Sequence, residues 1–356
     1  MPVMNSRHRI ASVVAIGALT ILAAAPRAQR GAAANTQAEV TTRIVAAAQA
    51  VLTALDDSGR SKVQFPFDGP QKTNWSNLPS PMFQRNGLRL ADVTATQRAA
   101  VMTLLSVALS RDGYRKVVDI MRGDEVLRTQ SSGNGRGGGR GSGSGPAFGE
   151  NEYYLAFLGT PSTAAPWRLQ FGGHHLAINL TLAGSQATMA PSLPAAQPAT
   201  YTVEGRTIRP LGNENDKAFA LINALDASQR SQAILSYRVA DLVLGPGRDG
   251  RTIQPEGVRA SALAAPQQQA LLGLVREWAG IINDGFAEPR MAQITADLPN
   301  TYFAWSGPTT NGSAAYFRVQ APTLMIEYAP QQGSVDHIHT IYRDPTNDYG
   351  AKFTAK

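Results

Sequence analysis

The chain has 356 residues, of which 43% are hydrophobic, and a formal net charge of +7. This length permits one large domain or two ordinary ones, and the hydrophobic content excludes a disordered chain. The positive charge is spread along the chain and no basic run alternates with aromatic residues, so we expect no nucleic-acid partner. The chain contains no cysteine, which excludes disulfides and thiolate metal ligands.

Residues 1–30 resemble a secretory signal peptide. A basic segment, Arg7-His8-Arg9, precedes an apolar stretch from Ile10 to Ala25, and small residues follow. We therefore expect cleavage after Ala25 or nearby, a periplasmic or secreted location, and no stable membrane insertion after cleavage. The alternative is an uncleaved membrane anchor, which the short, alanine-rich stretch disfavours.

The chain contains an internal sequence repeat. Residues 48–61 match residues 218–231 at a constant offset of 170, with eight of fourteen positions identical, and further matches follow in the same order. We predict a tandem duplication, with a first half at 37–190, a second half at 199–350, and a proline-rich linker at 190–198 between them. The first half carries a glycine-rich segment, 131–145, that is predicted to be a flexible surface loop. We expect the two halves to pack as one domain.

Each half is predicted to contain helices followed by an antiparallel meander, which is an α+β fold with a pseudo-twofold axis. Apolar residues at helical spacing mark a first helix in each half, around Val40–Leu55 and Phe219–Leu225. A second helix starts near Thr94 or Pro266 and is predicted to end at an Asp-Gly pair. The predicted strands cover 153–158, 167–171, 174–182, 302–305, 316–320 and 323–328. The second half has one addition, a C-terminal hairpin whose last strand covers 335–342.

Histidines give the strongest indication of function. His8 lies in the predicted signal peptide, and the others occur as His174-His175 and as His337 and His339. Alternation along a strand places His337 and His339 on one face, whereas it separates His174 from His175, so that one of that pair joins a common site. Imidazole is the commonest metal-ligand side chain, and these patterns predict one site for a divalent ion such as zinc, copper or iron. The alternative is that the histidines are surface or packed side chains.

Three further residues are candidates for catalysis near this metal site. Closing the C-terminal hairpin places Glu327 opposite Asp336 or His337, where its carboxylate could be a fourth ligand or a general base. Asp344 is a second candidate ligand or an acceptor for an imidazole N–H. Arg343 could hold an anionic substrate, or it could form a structural ion pair with Asp344 or Asp348.

No serine-hydrolase elbow, zincin helix, P-loop or dinucleotide fingerprint is present in the sequence. The leading hypothesis is an exported metalloprotein, a hydrolase or an oxidoreductase, that acts on a small polar or anionic molecule. The competing hypotheses are a non-catalytic periplasmic or extracellular binding protein and, less favoured, a structural protein of the cell envelope. The sequence leaves the oligomeric state open.

Three segments resemble a known family. They are Tyr153–Pro161, Trp167–Leu176 with its Gly-Gly-His-His-Leu motif, and Ile326–Gly350 with its His-x-His-Thr and Arg-Asp-Pro motifs. The chain is similar here to bacterial proteins that share domain of unknown function 3500, over roughly residues 37 to 350. The resemblance implies an exported bacterial protein and brings no established activity. The glycine-rich insert is not expected of that family.

Overall fold

The computed structural model describes Met1, residues 36–133 and residues 146–354. The predicted signal peptide and most of the predicted glycine-rich loop therefore lie outside the described residues. Residues 131–133, predicted to belong to that loop, are the end of a helix instead. The described residues from Thr36 onward belong to one compact unit, Asn35–Lys356.

The described part of the chain forms helices and strands, as the predicted α+β class requires. The helices are α1 Gln37–Ala54, α2 Asp57–Val63, α3 Ala95–Ala108, α4 Arg111–Gly133, α5 Gly212–Ala224, α6 Ala227–Ala233, α7 Ala265–Ala279, α8 Asp284–Ala296 and α9 Ala351–Thr354. The strands are β1 Gln64–Phe65, β2 Leu88–Arg89, β3 Tyr154–Leu158, β4 Trp167–Gly173, β5 Leu176–Ala183, β6 Gln186–Thr188, β7 Ser192–Ala196, β8 Tyr201–Val203, β9 Arg206–Ile208, β10 Val258–Arg259, β11 Tyr302–Ser306, β12 Tyr316–Ala321, β13 Leu324–Pro330 and β14 Ile338–Arg343. None of the helices in the described part of the chain has the length and apolar character that a membrane crossing requires.

One large sheet contains all these strands except β8 and β9, and inside its edge strands the order runs in the same way from either side. At the edges, the strand that corresponds to β10 at the offset of 170 is β2, which pairs with β3, and not β1. The order is β1-β3-β4-β5-β7-β14-β13-β12-β11-β10, so that each half contributes one side of the sheet and the two sides join at β7 and β14. Apart from the parallel pair β1–β3, these neighbours are antiparallel. This is the arrangement that a duplicated chain with a pseudo-twofold axis would adopt. The duplication itself stays a prediction.

The central strand β7 corrects one expectation. Residues 190–198 were expected to form a linker, because prolines lack an N–H and are uncommon in central strands. Ser192–Ala196 instead pair with both β5 and β14 and are fully buried. On the predicted duplication, β7 occupies the position on its side of the sheet that β14 occupies on the other.

Helices cover one face of the sheet. Alternate residues of β4 and β12, such as Leu169, Phe171 and Val319, are fully buried in clusters with the apolar stripes of the helices. The helix starts follow the predicted signals, since Thr94 caps α3 through a capping box with Gln97. All four tryptophans are at most 5% exposed and contribute to the buried interior.

The opposite face is polar and is nevertheless buried. Two irregular segments cover it, which we call loop 1 (residues 66–87) and loop 2 (residues 235–257). Buried polar side chains of this face bind these loops and one another: Arg168, Gln170, Asn179, Arg318, Gln320 and Glu327. Gln320 donates to the carbonyl oxygen of Ile253, for example. The apolar–polar alternation of these strands thus reflects two different buried environments rather than one buried and one solvated face.

The two halves also meet at the starts of α4 and α8, where the Asp-Gly pairs open helices rather than end them. Ser110 donates its N–H to the carbonyl of Ile281 at 2.9 Å, and Asn283 donates its N–H to the carbonyl of Ala108 at 3.0 Å. Both residues also cap the helix that follows. A glycine is needed at position 113, because a Cβ there would lie 2.2 Å from the oxygen of Ile281.

This close contact makes a test of the joint between the halves. Gly113→Ala is expected to destabilise the protein by about 1–3 kcal/mol, because the backbone of Ile281 must move to relieve the clash. Gly273→Ala is the matched control in α7, since a Cβ at that position meets no atom within 4 Å. It should stabilise the protein by about 0.4–1 kcal/mol by reducing the entropy of the unfolded chain. Urea unfolding measures both, and equal stability of the two variants would contradict the argument.

Candidate functional site

The histidine pair of the first half lies in the two-residue turn between β4 and β5, not in the predicted third strand. Gly173 pairs with Leu176, so that His174 and His175 occupy the loop of this hairpin. His175 has a positive φ of 62°, which a non-glycine residue adopts at a cost of about 1–3 kcal/mol and which clusters at functional sites. The alternation of side chains along a strand, which predicted the two imidazoles on opposite faces, therefore does not apply to this turn.

The histidines of the second half lie at the start of β14. His339 is within the strand and His337 immediately precedes it, anchored by its carbonyl oxygen, which accepts a hydrogen bond from the N–H of Gln331. Their Nε2 atoms lie 3.0 Å apart, as the predicted common face requires.

Strand β7 brings the two histidine clusters together. Ala195 pairs with His339 on one side and donates its N–H to the carbonyl of His175 on the other side. Ala195 is therefore the backbone neighbour of both histidines, and it shares a face with His339. The alanine between the two imidazoles is small, and the rings of His175 and His339 approach to 5.8 Å between centroids across it.

Three Nε2 atoms converge at this place. Nε2 of His337 lies 3.0 Å from Nε2 of His175 and 3.0 Å from Nε2 of His339. The donor atoms of the three residues all lie within 4.8 Å of one another. Tetrahedral ligands at about 2.0–2.1 Å from zinc are about 3.3 Å apart, so the group has the donor atoms and the spacing to hold a metal ion.

Asp124, on helix α4, orients His175 and is the main residue that sequence reasoning missed. Nδ1 of His175 lies 2.9 Å from Oδ1 of Asp124, which leaves its Nε2 facing His337. The hydroxyl of Tyr153 lies 2.7 Å from Oδ2 of the same carboxylate. One signal could have revealed Asp124, because it continues the buried stripe of Val117, Ile120 and Met121 at helical spacing.

His339 has two polar neighbours, one from each covering loop. Nδ2 of Asn77, in loop 1, lies 3.2 Å from both ring nitrogens of His339. Oδ1 of Asp241, in loop 2, lies 3.9 Å from Nδ1 of His339 and also accepts a hydrogen bond from Gln331. No pattern in the sequence marks either residue.

Burial sets the protonation of the cluster. Burial lowers the pKa of His175 to about 3, with the neighbouring His174 acting in the same direction. Burial likewise lowers the pKa of His337 to about 4, with a further contribution from His339. Burial alone would raise the pKa of Asp124, but His175 and His174 outweigh it and hold that pKa below its usual range. At neutral pH the site therefore presents unprotonated imidazole nitrogens beside an ionised carboxylate.

The other predicted site residues lie elsewhere and have other partners. Glu327 is opposite Ile341, not opposite Asp336 or His337, because the turn of the hairpin is longer than predicted. Its carboxylate accepts hydrogen bonds from the backbone N–H groups of Val243 and Leu244 and from the hydroxyl of Tyr316. It anchors loop 2, and burial raises its pKa.

Arg343 and Asp344 also have structural partners. Arg343 is 2% exposed and binds Asp348 at 2.7 Å, which is one of the ion pairs weighed from the sequence. It also donates to the carbonyls of Leu244 and Gly245 in loop 2. Asp344 is buried and accepts hydrogen bonds from Thr346, and its carboxylate lies 3.3 Å from Arg290. Neither residue belongs to the groups that could hold a metal ion in the described part of the chain.

Comparison with known proteins gives one match. No curated protein and no solved structure matches the chain. One family model does so over residues 37–351, which contain every helix, strand and histidine of the site described above except the last residues of α9. This confirms the resemblance drawn from the Gly-Gly-His-His-Leu and His-x-His motifs. The chain belongs to the family described as "Protein of unknown function (DUF3500)".

Proposed function

We propose that the protein binds a divalent metal ion through Nε2 of His175, His337 and His339, and that it is a metal-dependent hydrolase of small polar or anionic molecules. The observation that carries the proposal is the convergence of three imidazole nitrogens from segments far apart in the sequence. Packing alone does not require three rings to direct the same nitrogen to one place, whereas the binding of one metal ion does require it.

The surroundings of the histidines support this proposal. A metal-binding imidazole commonly donates its other N–H to a carboxylate, which fixes the ring and raises its basicity. Asp124 has this relation to His175, at 2.9 Å. Asp241 is placed similarly but farther away, with its Oδ1 3.9 Å from Nδ1 of His339. Because His175 and His337 are neutral at physiological pH, their nitrogens need not lose a proton before they bind an ion.

Three neutral imidazoles leave one position of a tetrahedral ion open, which is the ligand set of catalytic zinc sites. A bound ion of this kind would lower the pKa of a water molecule in that position to about 7 and polarise a substrate oxygen. The partly exposed ring of His337 gives the site its access to solvent, whereas His175 is fully buried. Asn77, beside His339, supplies an amide that can hydrogen-bond a substrate. Copper and iron also accept imidazole ligands, and with them the same site would support oxidoreductase chemistry.

A second candidate function is metal or ligand binding without catalysis. It is favoured by the position of the larger cavities in the described part of the chain. The two that exceed 500 Å³ have volumes of about 540 and 530 Å³, and no histidine lines either of them. Enzyme sites for small molecules are usually concave. Measurements of metal content and of metal-dependent turnover separate the two functions.

We further propose that the protein is exported to the periplasm or secreted. The basic Arg7–Arg9 segment and the apolar stretch Ile10–Ala25 support this location. N-terminal sequencing of the protein recovered from a periplasmic extract is the test, and a mature start between residues 26 and 31 is expected.

The first prediction concerns metal content. After removal of metal with a chelator and dialysis against ZnCl₂, the wild-type chain should retain zinc stoichiometrically. The double variant His337→Ala/His339→Ala should retain at least one ion per chain fewer, because it lacks two of the three ligands. Val335→Ala is the matched control in the same hairpin turn, since this side chain is 55% exposed and has no donor atom. Mass spectrometry of the metals measures the content, and a wild-type chain without zinc would refute metal binding.

The second prediction concerns the alanine between the imidazoles. Ala195→Leu should lower zinc affinity by about 10- to 100-fold, the range found when the surroundings of a metal ligand are altered. Ala195 pairs with His339 and binds the backbone of His175, so a larger side chain there is expected to shift the segments that position both imidazoles. Ala177→Leu is the control, because it overpacks the same buried cluster without standing between two histidines. Competition with a zinc indicator measures both, and equal losses in the two variants would assign the effect to general overpacking.

The third prediction concerns catalysis. Zinc-loaded wild-type protein should hydrolyse p-nitrophenyl acetate or p-nitrophenyl phosphate faster than the chelator-treated protein does. The double variant should lose that difference, while Val335→Ala keeps it. Zinc retention without any metal-dependent turnover would instead favour the non-catalytic binding protein. Turnover that needs copper or iron would favour an oxidoreductase, measured with oxygen consumption.

A further inference from the structure

His174 is buried beside the site but has no function in the three-histidine group. It is 6% exposed, and its Nδ1 has no hydrogen-bond partner. This nitrogen nevertheless lies 3.2 Å from Oδ1 of Asp124, a distance without the angle of a hydrogen bond. A buried polar atom without a partner is rare in folded proteins and calls for a ligand or an ion.

Two nitrogens converge on that carboxylate oxygen. Nδ1 of His175 lies 2.9 Å from it, and the rings of His174 and His175 have their centroids 3.5 Å apart and their planes tilted by 37°. The three atoms, one each from Asp124, His174 and His175, lie within 4.8 Å of one another. Ligand atoms of a tetrahedral zinc ion are about 3.3 Å apart, and the two nitrogens lie 2.9 and 3.2 Å from the carboxylate oxygen, which is close to that spacing.

His175 belongs to both groups through its two nitrogens. Nδ1 faces Asp124, and Nε2 faces His337. We propose that Asp124, His174 and His175 form a second divalent-cation site, and that the imidazolate of His175 bridges the two ions. The inference rests on the proposed function, because the first ion is the one held at Nε2 of His175, His337 and His339.

Binding of the second ion releases one proton. The second ion displaces the proton that Nδ1 of His175 shares with Asp124, and this proton leaves to solvent. The ion then has two anionic ligands, the carboxylate of Asp124 and the imidazolate of His175, which a cation buried this deeply requires. Tyr153 holds the other carboxylate oxygen at 2.7 Å and so keeps Oδ1 directed at the two histidines.

The test is the number of zinc ions per chain. Chelator-treated full-length protein is titrated with ZnCl₂ by calorimetry, and its metal content is measured after dialysis. The wild-type chain should bind two ions, and both His174→Ala and His174→Gln should bind one. Phe148→Leu is the matched control, because this ring packs on His174 with centroids 4.9 Å apart and offers no ligand atom. It should keep two ions.

The outcomes separate this inference from the proposed function. One ion in the wild-type chain and one in the His174 variants would overturn the second site and leave the first standing. Two ions in all of them would place the second ion elsewhere and would also overturn it. No ion in the wild-type chain would overturn both proposals. Copper gives an independent readout, because two Cu²⁺ ions bridged by an imidazolate couple magnetically. The wild-type EPR signal should then integrate to well under two spins, while His174→Ala gives one full spin.

Discussion

The pairing of β7 with β14 is the interaction on which the rest of the structure depends. It joins the two sides of the sheet, and the register that sets Ala195 opposite His339 also sets His175 beside both. A shift of one residue in this pairing would turn His339 to the helix-covered face, because side chains alternate along a strand. Hydrogen bonds between two main chains thus determine whether the histidines meet.

The buried polar face restricts the fold in a second way. A sheet with arginine, glutamine and glutamate on a buried face is stable only if those groups find partners, because an unpaired buried polar group costs free energy. The covering loops supply them from their own backbones, as where Glu327 binds the N–H groups of Val243 and Leu244. The same loops carry Asn77 and Asp241 to His339. Glu327 and Arg343, which were candidates for catalysis in the sequence, bind loop 2, the loop that carries Asp241.

The site also shows how burial and charge act together. Burial keeps His175 and His337 neutral, whereas their neighbourhood keeps Asp124 ionised. Neutral imidazoles that converge beside a carboxylate form a group that could hold a metal ion. The positive φ of His175 fits this picture, since strained backbone is retained where side-chain placement matters. Both proposed ion sites use this combination of neutral imidazoles and an ionised carboxylate.

Sequence patterns predicted the helices α1, α3, α5 and α7, the strands β3 to β5 and β11 to β14, the α+β class and the family, and they singled out the histidines that the structure brings together. These follow from local patterns, namely apolar spacing, capping residues and clustered rare residues. The sequence misplaced Glu327, because hairpin register depends on a turn whose length was unknown, and it missed the strand Ser192–Ala196, because prolines normally exclude a central strand. It missed Asp124 as a partner of His175, although this carboxylate lies in a visible apolar stripe.

Only the tertiary structure decided which of these groups share a site. Asp124, His175 and His339 come from a helix, a turn and a strand that no sequence period relates to one another. Their proximity arises from the packing of α4 against β7 and from the register at the centre of the sheet. Local sequence specifies local conformation. Contacts between distant segments depend on the packing of the whole core and on the hydrogen bonds of both covering loops, which must form together.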